Sequence, residues 1–303
     1  MARMTRADPP SELPRHLVSL MQSEFPTSRP QDAVVIGVGF DVVAWRVPDP
    51  TGDWALRVPR HAPAIEVIEA QTTLMHHIEE HGLPVPREAR MIGDGASRCS
   101  LYRFAEGRHA IPEDRAREDR LAAQLADILN RLHRVPIEAL PARVVRPIED
   151  RFGPIIERCR PHLEGARRRW LDAVETRLGS LIETAPPIVL VHADLKPEHV
   201  ILGGDGTIEA LLDFEGIQVS DPAIDLSRII QHWGRPLAEV VLESYTGAVD
   251  AHFLERAQLY RDLDGVELLD TVIEDGAEEW REVALREIDA AERRGVDALN
   301  PPA

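Results

Sequence analysis

The apolar positions of the chain change period about a third of the way along. Val42 to Val47 and Trp54 to Val58 alternate in the manner of half-buried strands, and Ala33 to Gly37 is a short apolar run before them. Pro48-Asp-Pro-Thr-Gly-Asp53 between the last two is turn chemistry. Upstream, Ser11 to Glu24 places Leu13, Leu17, Leu20 and Met21 on one helical face. Downstream, Ile65 to His81 does the same with Val67, Gln71, Leu74, Met75 and Ile78, and Leu83-Pro-Val-Pro86 stops it. Glu88 to Ile92 and Arg98 to Phe104 return to strand patterning, which predicts a five-stranded antiparallel sheet. From Ile111 the period is helical. Leu121 to His133 carries Leu121, Leu125, Ile128 and Leu132 on one face, with His133 read as a packing or capping residue. Glu149 to Cys159, Ala166 to Glu183, Trp233 to Tyr245 and Ala251 to Arg294 are further helices. The fold class is therefore α+β.

One interruption breaks the helical part. Ile188 to Val191, Val200 to Leu202 and Ile208 to Leu212 are short apolar runs, and Gly203-Gly204-Asp205-Gly206 is hairpin-turn chemistry. That hairpin sets Asp194 just before its first strand and Asp213 just after its second, so two carboxylates meet at one mouth. Such a pair repels itself unless a cation lies between, and Mg²⁺ with nucleotide phosphates is the usual solution. A single Asp after a strand would read as a solvated loop acid; the constellation reads as a phosphate-transfer site.

Composition narrows the class. No run of about 18 apolar residues marks a membrane span, and MARMTRADPPSELP lacks the apolar region of a signal peptide. Cys99 and Cys159 stand far apart without metal-like spacing, which fits a reducing cytoplasm. A net charge of −17 argues against a nucleic-acid or anionic-membrane partner and favours a cationic small-molecule substrate.

His192-Ala-Asp194-Leu-Lys196-Pro-Glu-His199 nearly spells the kinase catalytic loop, and Leu211-Leu-Asp213-Phe214-Glu215-Gly216 falls where kinases keep a metal-binding Asp. With Asp221-Pro-Ala-Ile-Asp225-Leu-Ser227, these stretches resemble the aminoglycoside and macrolide phosphotransferases, antibiotic kinases of protein-kinase-like fold. The resemblance runs from about residue 30 to 250. It implies a bilobal chain, with an N-terminal lobe at 1–106 and a helical C-terminal lobe at 107–303. It makes Asp194 the catalytic Asp, Lys196 a neighbour of the γ-phosphate, Asp213 the principal metal ligand and His199 the second metal position. Arg57 stands in place of the strand Lys, and Gln71 in place of the helix Glu that would pair with it. Asp225 becomes a structural acid bonding backbone near the catalytic loop. Backbone around Phe104 to Glu106 would meet the nucleotide base.

Gly37-Val-Gly39 would cover the phosphates, although Val42 replaces the third glycine and a plain hairpin turn fits the residues equally. Asp270, Glu274, Asp275 and Glu278 could receive substrate ammonium groups or simply form an acidic solvent face. His199, where most kinases carry Asn, is a softer ligand and suits Mn²⁺ or Zn²⁺ better than Mg²⁺. His at this position is familiar among the macrolide kinases, some of which use GTP, so ATP and GTP both stay open as cosubstrate.

These readings converge on a nucleoside-triphosphate-dependent O-phosphotransferase acting on an antibiotic hydroxyl. A metabolic small-molecule kinase of the same fold, or a nucleotide-binding pseudokinase, stands as the alternative.

Overall fold

The computed structural model describes residues 10–39, 41–112, 115–140, 151–183 and 185–295. Strands β1 (Val34–Val38), β2 (Val42–Val47) and β3 (Trp54–Pro59) form an antiparallel meander; β4 (Arg90–Ile92) and β5 (Cys99–Arg103) extend it to five strands in the order β1-β2-β3-β5-β4. Strand alternation sorts the side chains onto two faces. Val43, Trp45, Val47, Trp54, Leu56 and Leu101 bury one face beneath Leu17 and Met21 of helix α1 (Arg15–Glu24). Ala44, Ala55, Arg57, Ser100 and Tyr102 alternate onto the other.

Helix α2 (Ala62–Glu80) crosses the sheet and begins three residues earlier than its apolar spacing predicts, because His61 caps it. Its inward stripe is Ala64, Ile68, Gln71, Thr72, Leu74, Met75 and Ile78. Val67 is 37% exposed, against the expected inward position, since at 100° per residue Ile68 takes that place. Helix α1 likewise starts at Arg15 and not Ser11, with Pro14 at its N-cap.

Beyond a short strand β6 (Arg108–His109) come helices α3 (Arg115–Leu132), α4 (Gly153–Cys159) and α5 (Gly165–Ile182). Residues 149 and 150 of the expected Glu149–Cys159 helix lie outside the described residues. Strands β7 (Val189–Val191), β8 (Val200–Leu202), β9 (Ile208–Leu211) and β10 (Gln218–Ser220) follow; β8 and β9 form the expected hairpin, β6 adds to its β8 edge, and β7 pairs with β10. Helices α6 (Ala223–Trp233), α7 (Arg235–Ser244), α8 (Phe253–Asp262), α9 (Asp264–Asp275) and α10 (Arg281–Arg294) complete the described chain. The helix expected over Trp233 to Tyr245 is cut at its start. Gly234 sits at φ +91°, ends α6 and redirects the chain into α7.

One large core joins α3, α5, α6, α8 and α9 to the β7–β9 strands, and Leu74, Met75 and Ile78 of α2 belong to it. Each fully buried Leu or Ile there contributes roughly 2 kcal/mol. Helix α2 is thus seated on the helical part while it carries Gln71 to the sheet. Among the described residues no helix is long and apolar enough to cross a membrane.

Candidate active site

The loop from His192 to His199 leaves β7 and enters β8, and the hairpin returns the chain so that Leu212 donates its N–H to the His199 carbonyl at 2.8 Å. Asp194, His199 and Asp213 therefore meet: one ligand atom from each lies within 4.8 Å of the others. Nδ1 of His199 contacts the backbone carbonyl of Asp194 at 2.9 Å, and Nε2 stands 3.4 Å from Asp213 Oδ2. A carbonyl can only accept, so the ring proton sits on Nδ1 and the Nε2 lone pair faces the cluster, the arrangement of a metal-ligating histidine. Two carboxylates and one imidazole fit a divalent cation such as Mg²⁺ or Mn²⁺. Lys196 Nζ donates to Asp194 Oδ2 at 3.1 Å, so the Asp194 carboxylate is already aimed and paired.

This loop has unusual backbone. Ala193 (φ +61°) and Asp213 (φ +59°) occupy the left-handed region, where non-glycine residues are uncommon. Buried bonds hold the Ala193 turn. Asp225 Oδ1 accepts from the Ala193 N–H at 2.7 Å and its Oδ2 from the His192 N–H at 3.1 Å. Arg228 Nε donates to the Ala193 carbonyl at 2.9 Å, and Asp264 and Glu267 hold that guanidinium. His133 is more than a packing residue: Nε2 bonds Asp225 at 2.9 Å and Nδ1 bonds the Tyr245 hydroxyl at 2.7 Å. Burial acts to raise the Asp225 pKa, but the His133 bond, the His133 ring beside it and the Ala193 N–H outweigh it, leaving the carboxyl below the usual range.

His192 couples the two loops. Nε2 donates to the Leu212 carbonyl at 3.1 Å, next to Asp213, while Nδ1 accepts the Asp194 N–H at 3.3 Å. Burial pushes its pKa down, against the pull of Asp225, which keeps the ring neutral in that tautomer. A side chain at Gly216 would begin 3.1 Å from the His192 carbonyl oxygen and 3.3 Å from Asp194 Cβ, so the glycine lets these loops close. Of these supports, Asp225 and Gly216 lie in recognisable motifs. Arg228 and His133 carry no sequence signal beyond their residue type.

Above the cluster, Gly37 pairs with Ala44 and Ala44 with Arg57 across β1, β2 and β3. Two small residues thus sit in register with Arg57 across the three strands. Neither Gly37 nor Gly39 has a positive φ, and a Cβ at either would meet nothing closer than 3.5 Å. The fold itself does not demand glycine at these positions. Arg57 donates to Gln71 Oε1, as the sequence anticipated.

At the linker the Phe104 N–H is spent on the Asp53 carbonyl at 2.9 Å. Its ring lies 4.2 Å under the Arg46 guanidinium, which also bonds Asp53 at 2.5 Å and Glu106. Phe104 therefore brings a ring and a carbonyl to this segment, but not a donor. The acidic candidates are mostly engaged elsewhere. Arg158 holds Asp270 in a two-pronged pair at 2.7 and 2.8 Å and reaches Glu274 at 3.6 Å, and Arg281 holds Glu278. Asp275 is exposed at the end of α9.

Residues 32–269 match the model of the phosphotransferase enzyme family. The chain belongs to that family, and is an enzyme that transfers phosphate. No curated protein sequence is similar enough to count as a match. Solved structures of family members share the fold. Aminoglycoside 2′-phosphotransferase-IIIa in its GDP complex is 19% identical, with a TM-score of 0.79 over 92% of this chain and 98% of that one. Macrolide 2′-phosphotransferase MphH from Brachybacterium faecium is 21% identical, with a TM-score of 0.73 over 96% and 99%. The ADP-bound aminoglycoside phosphotransferase APH(2″)-Ib is 15% identical, with a TM-score of 0.71 over 95% and 99%. The kinase-like α+β fold of the family is thereby that of this chain, with a five-stranded antiparallel sheet ahead of a mainly helical part.

Proposed function

We propose that the protein transfers the γ-phosphate of ATP or GTP to a hydroxyl of an aminoglycoside or macrolide, and so confers resistance in the cytoplasm. The meeting of Asp194, His199 and Asp213 within 4.8 Å carries the reading. Asp194, aimed by Lys196, accepts or orients the acceptor's hydroxyl proton. Arg57 and Lys196 spread the charge that grows on the transferred group. Asp213 and His199 Nε2 would hold the divalent cation, which supplies phosphate neutralisation when bound. The Gly37–Gly39 turn gives room for phosphates beside Arg57, and the Ala105–Glu106 backbone meets the base. The lobes divide between Glu106 and Gly107. Relatives in complex with GDP and with ADP support a nucleotide of either base.

A metabolic alcohol is the second reading for the acceptor. It is favoured by the arginine partners of Asp270, Glu274 and Glu278, which reduce what those acids can offer a polycation. The test is nucleotide turnover with ATP and GTP across aminoglycosides, macrolides and small metabolic alcohols. One antibiotic class should stimulate turnover and gain one phosphate in mass. Asp213→Ala should abolish turnover, and Asp194→Ala should slow it by about 10² or more. Near-normal rates in both variants would refute the site, and phosphorylation of a metabolic alcohol alone would refute the antibiotic acceptor.

A further inference from the structure

Gly39 and Asp41, between β1 and β2, are tied down by the residues that follow β3. Past the last β2–β3 pair, Val42 with Pro59, the ladder gains one more bond, from the Arg60 N–H to the Asp41 carbonyl at 2.8 Å. The Arg60 side chain then turns back and donates through Nη1 to the Gly39 carbonyl at 2.9 Å. His61, the next residue, places Nε2 2.8 Å from Asp41 Oδ1, with both side chains about three-quarters buried (25% and 23% exposed). The same ring caps α2: Nδ1 accepts the Ala64 N–H at 3.3 Å. An Nδ1 that accepts carries no proton, so the ring proton belongs to Nε2, which meets Asp41 at ion-pair distance without an aligned hydrogen bond.

One imidazole therefore joins the β1–β2 turn to the helix that bears Gln71, the partner of Arg57. A glycine-containing turn with only its own backbone bonds would open and close over its ligand at little cost. Here two consecutive side chains tie Gly39 and Asp41 to the chain that enters α2. Gly39, Asp41, α2 and Arg57 are thereby linked to one another without a ligand, which would remove part of the ordering cost of binding.

We propose that Arg60 and His61 are positioning residues for the nucleotide, latching the Gly37–Gly39 turn over its β- and γ-phosphates through Gly39 and Asp41. The proposal rests on the nucleotide reading above. Because the latch acts through the phosphate-covering turn, it governs di- and triphosphates and is indifferent to the base and to a monophosphate.

Binding of ATP, ADP and AMP, and of GTP, GDP and GMP, to the full chain tests it by calorimetry, with KM and kcat for turnover. Asn is itself a good helix N-cap, so His61→Asn keeps the cap of α2 but cannot reach Asp41. Asp41→Ala breaks the same contact without touching the helix. Each should weaken di- and triphosphate binding roughly tenfold, the scale of one charge-assisted contact, and leave monophosphate affinity unchanged. The double variant should be no worse than either single, and KM should rise more than kcat falls. Arg60→Met should act in the same direction. Silent His61→Asn and Asp41→Ala variants in a wild type that binds ATP or GTP would overturn the latch alone, as would equal weakening of AMP or GMP. A wild type that binds none of the six would overturn the nucleotide reading and the latch with it.

Discussion

Asp225 accepts the backbone N–H of Ala193 at 2.7 Å, and that contact holds a left-handed alanine immediately before Asp194. Asp225 is fully buried and takes two further bonds, from the His192 N–H and from His133. Asp225→Asn puts an amide donor where only acceptors fit, and leaves a donor of His133 or of the backbone unpaired. Its expected cost is about 3–5 kcal/mol, the range for breaking a buried charged pair, read as a lower denaturant midpoint together with lost turnover. His133→Phe removes one of the three bonds to Asp225 and also the bond to the Tyr245 hydroxyl, but leaves the carboxylate its two backbone donors, and should cost less, about 1–3 kcal/mol.

The same network sets a pH dependence. His192 has its pKa pushed down by burial, so the unfolded chain binds a proton at a pH where the native ring does not. Stability from this group is complete above the unfolded value of about 6.5 and is lost as pH falls below it, at up to about 1.4 kcal/mol per pH unit. His232, also lowered by burial and by Arg228, adds to the same window. The lowered Asp225 carboxyl acts in the same sense further down, its contribution present above about pH 4 and lost in stronger acid. Denaturant midpoints should therefore fall between pH 7 and pH 5, and His192→Gln should flatten that slope without abolishing it. A slope unchanged in the variant would assign the effect to other groups.

Gln71 is buried with Oε1 bonded to Arg57, but its Nε2 has no partner among the described residues. Gln71→Glu replaces an unsatisfied donor by an acceptor and turns a hydrogen bond into an ion pair with Arg57. The variant should be more stable by about 1 kcal/mol, and its KM for the nucleotide should not rise. A drop in melting temperature would show that Nε2 is satisfied in solution.

Gly107 is packed too closely for any side chain: a Cβ there would lie 2.4 Å from the Leu202 carbonyl oxygen and 2.7 Å from Ile201 Cγ2. Gly107→Ala should cost about 1–3 kcal/mol by overpacking. Gly204→Ala, in the turn of the same hairpin, meets nothing within 4 Å and should be close to neutral. Thermal unfolding of the pair separates a steric requirement from a general intolerance of substitution in this hairpin.

Legibility in the sequence followed the range of the interaction. Strand alternation and turn residues, which are local, placed β2, β3 and the β8–β9 hairpin within a residue or so of where they fold. The motif spacing brought Asp194, His199 and Asp213 together because one short hairpin connects them. Helix faces were less secure. Val67 and Ile68 are both apolar, and it is Ile68 that shares the buried face with Ala64, Gln71, Met75 and Ile78. Contacts between distant segments left no trace: Arg228 finds Ala193 across 35 residues and His133 finds Asp225 across 92. The arginines that engage Asp270 and Glu278 were equally out of sight, since they lie on α4 or beyond the end of α9.

The linker has a mechanical consequence. Residues up to Glu106 are fastened to the sheet, by the Phe104 N–H on Asp53 and by Arg46 on Glu106. Residues from Gly107 onward are fastened to the hairpin, by the close seat of Gly107 on Leu202 and by the Ala110 N–H shared between the Pro197 and Val200 carbonyls. The two sets of fastenings meet at the Glu106–Gly107 peptide, which leaves almost no free length of chain between sheet and hairpin. Helix α2 is a second tie, because Leu74, Met75 and Ile78 are seated in the helical core while Gln71 holds Arg57, so any shift of the sheet against Asp194, His199 and Asp213 would have to unseat that helix.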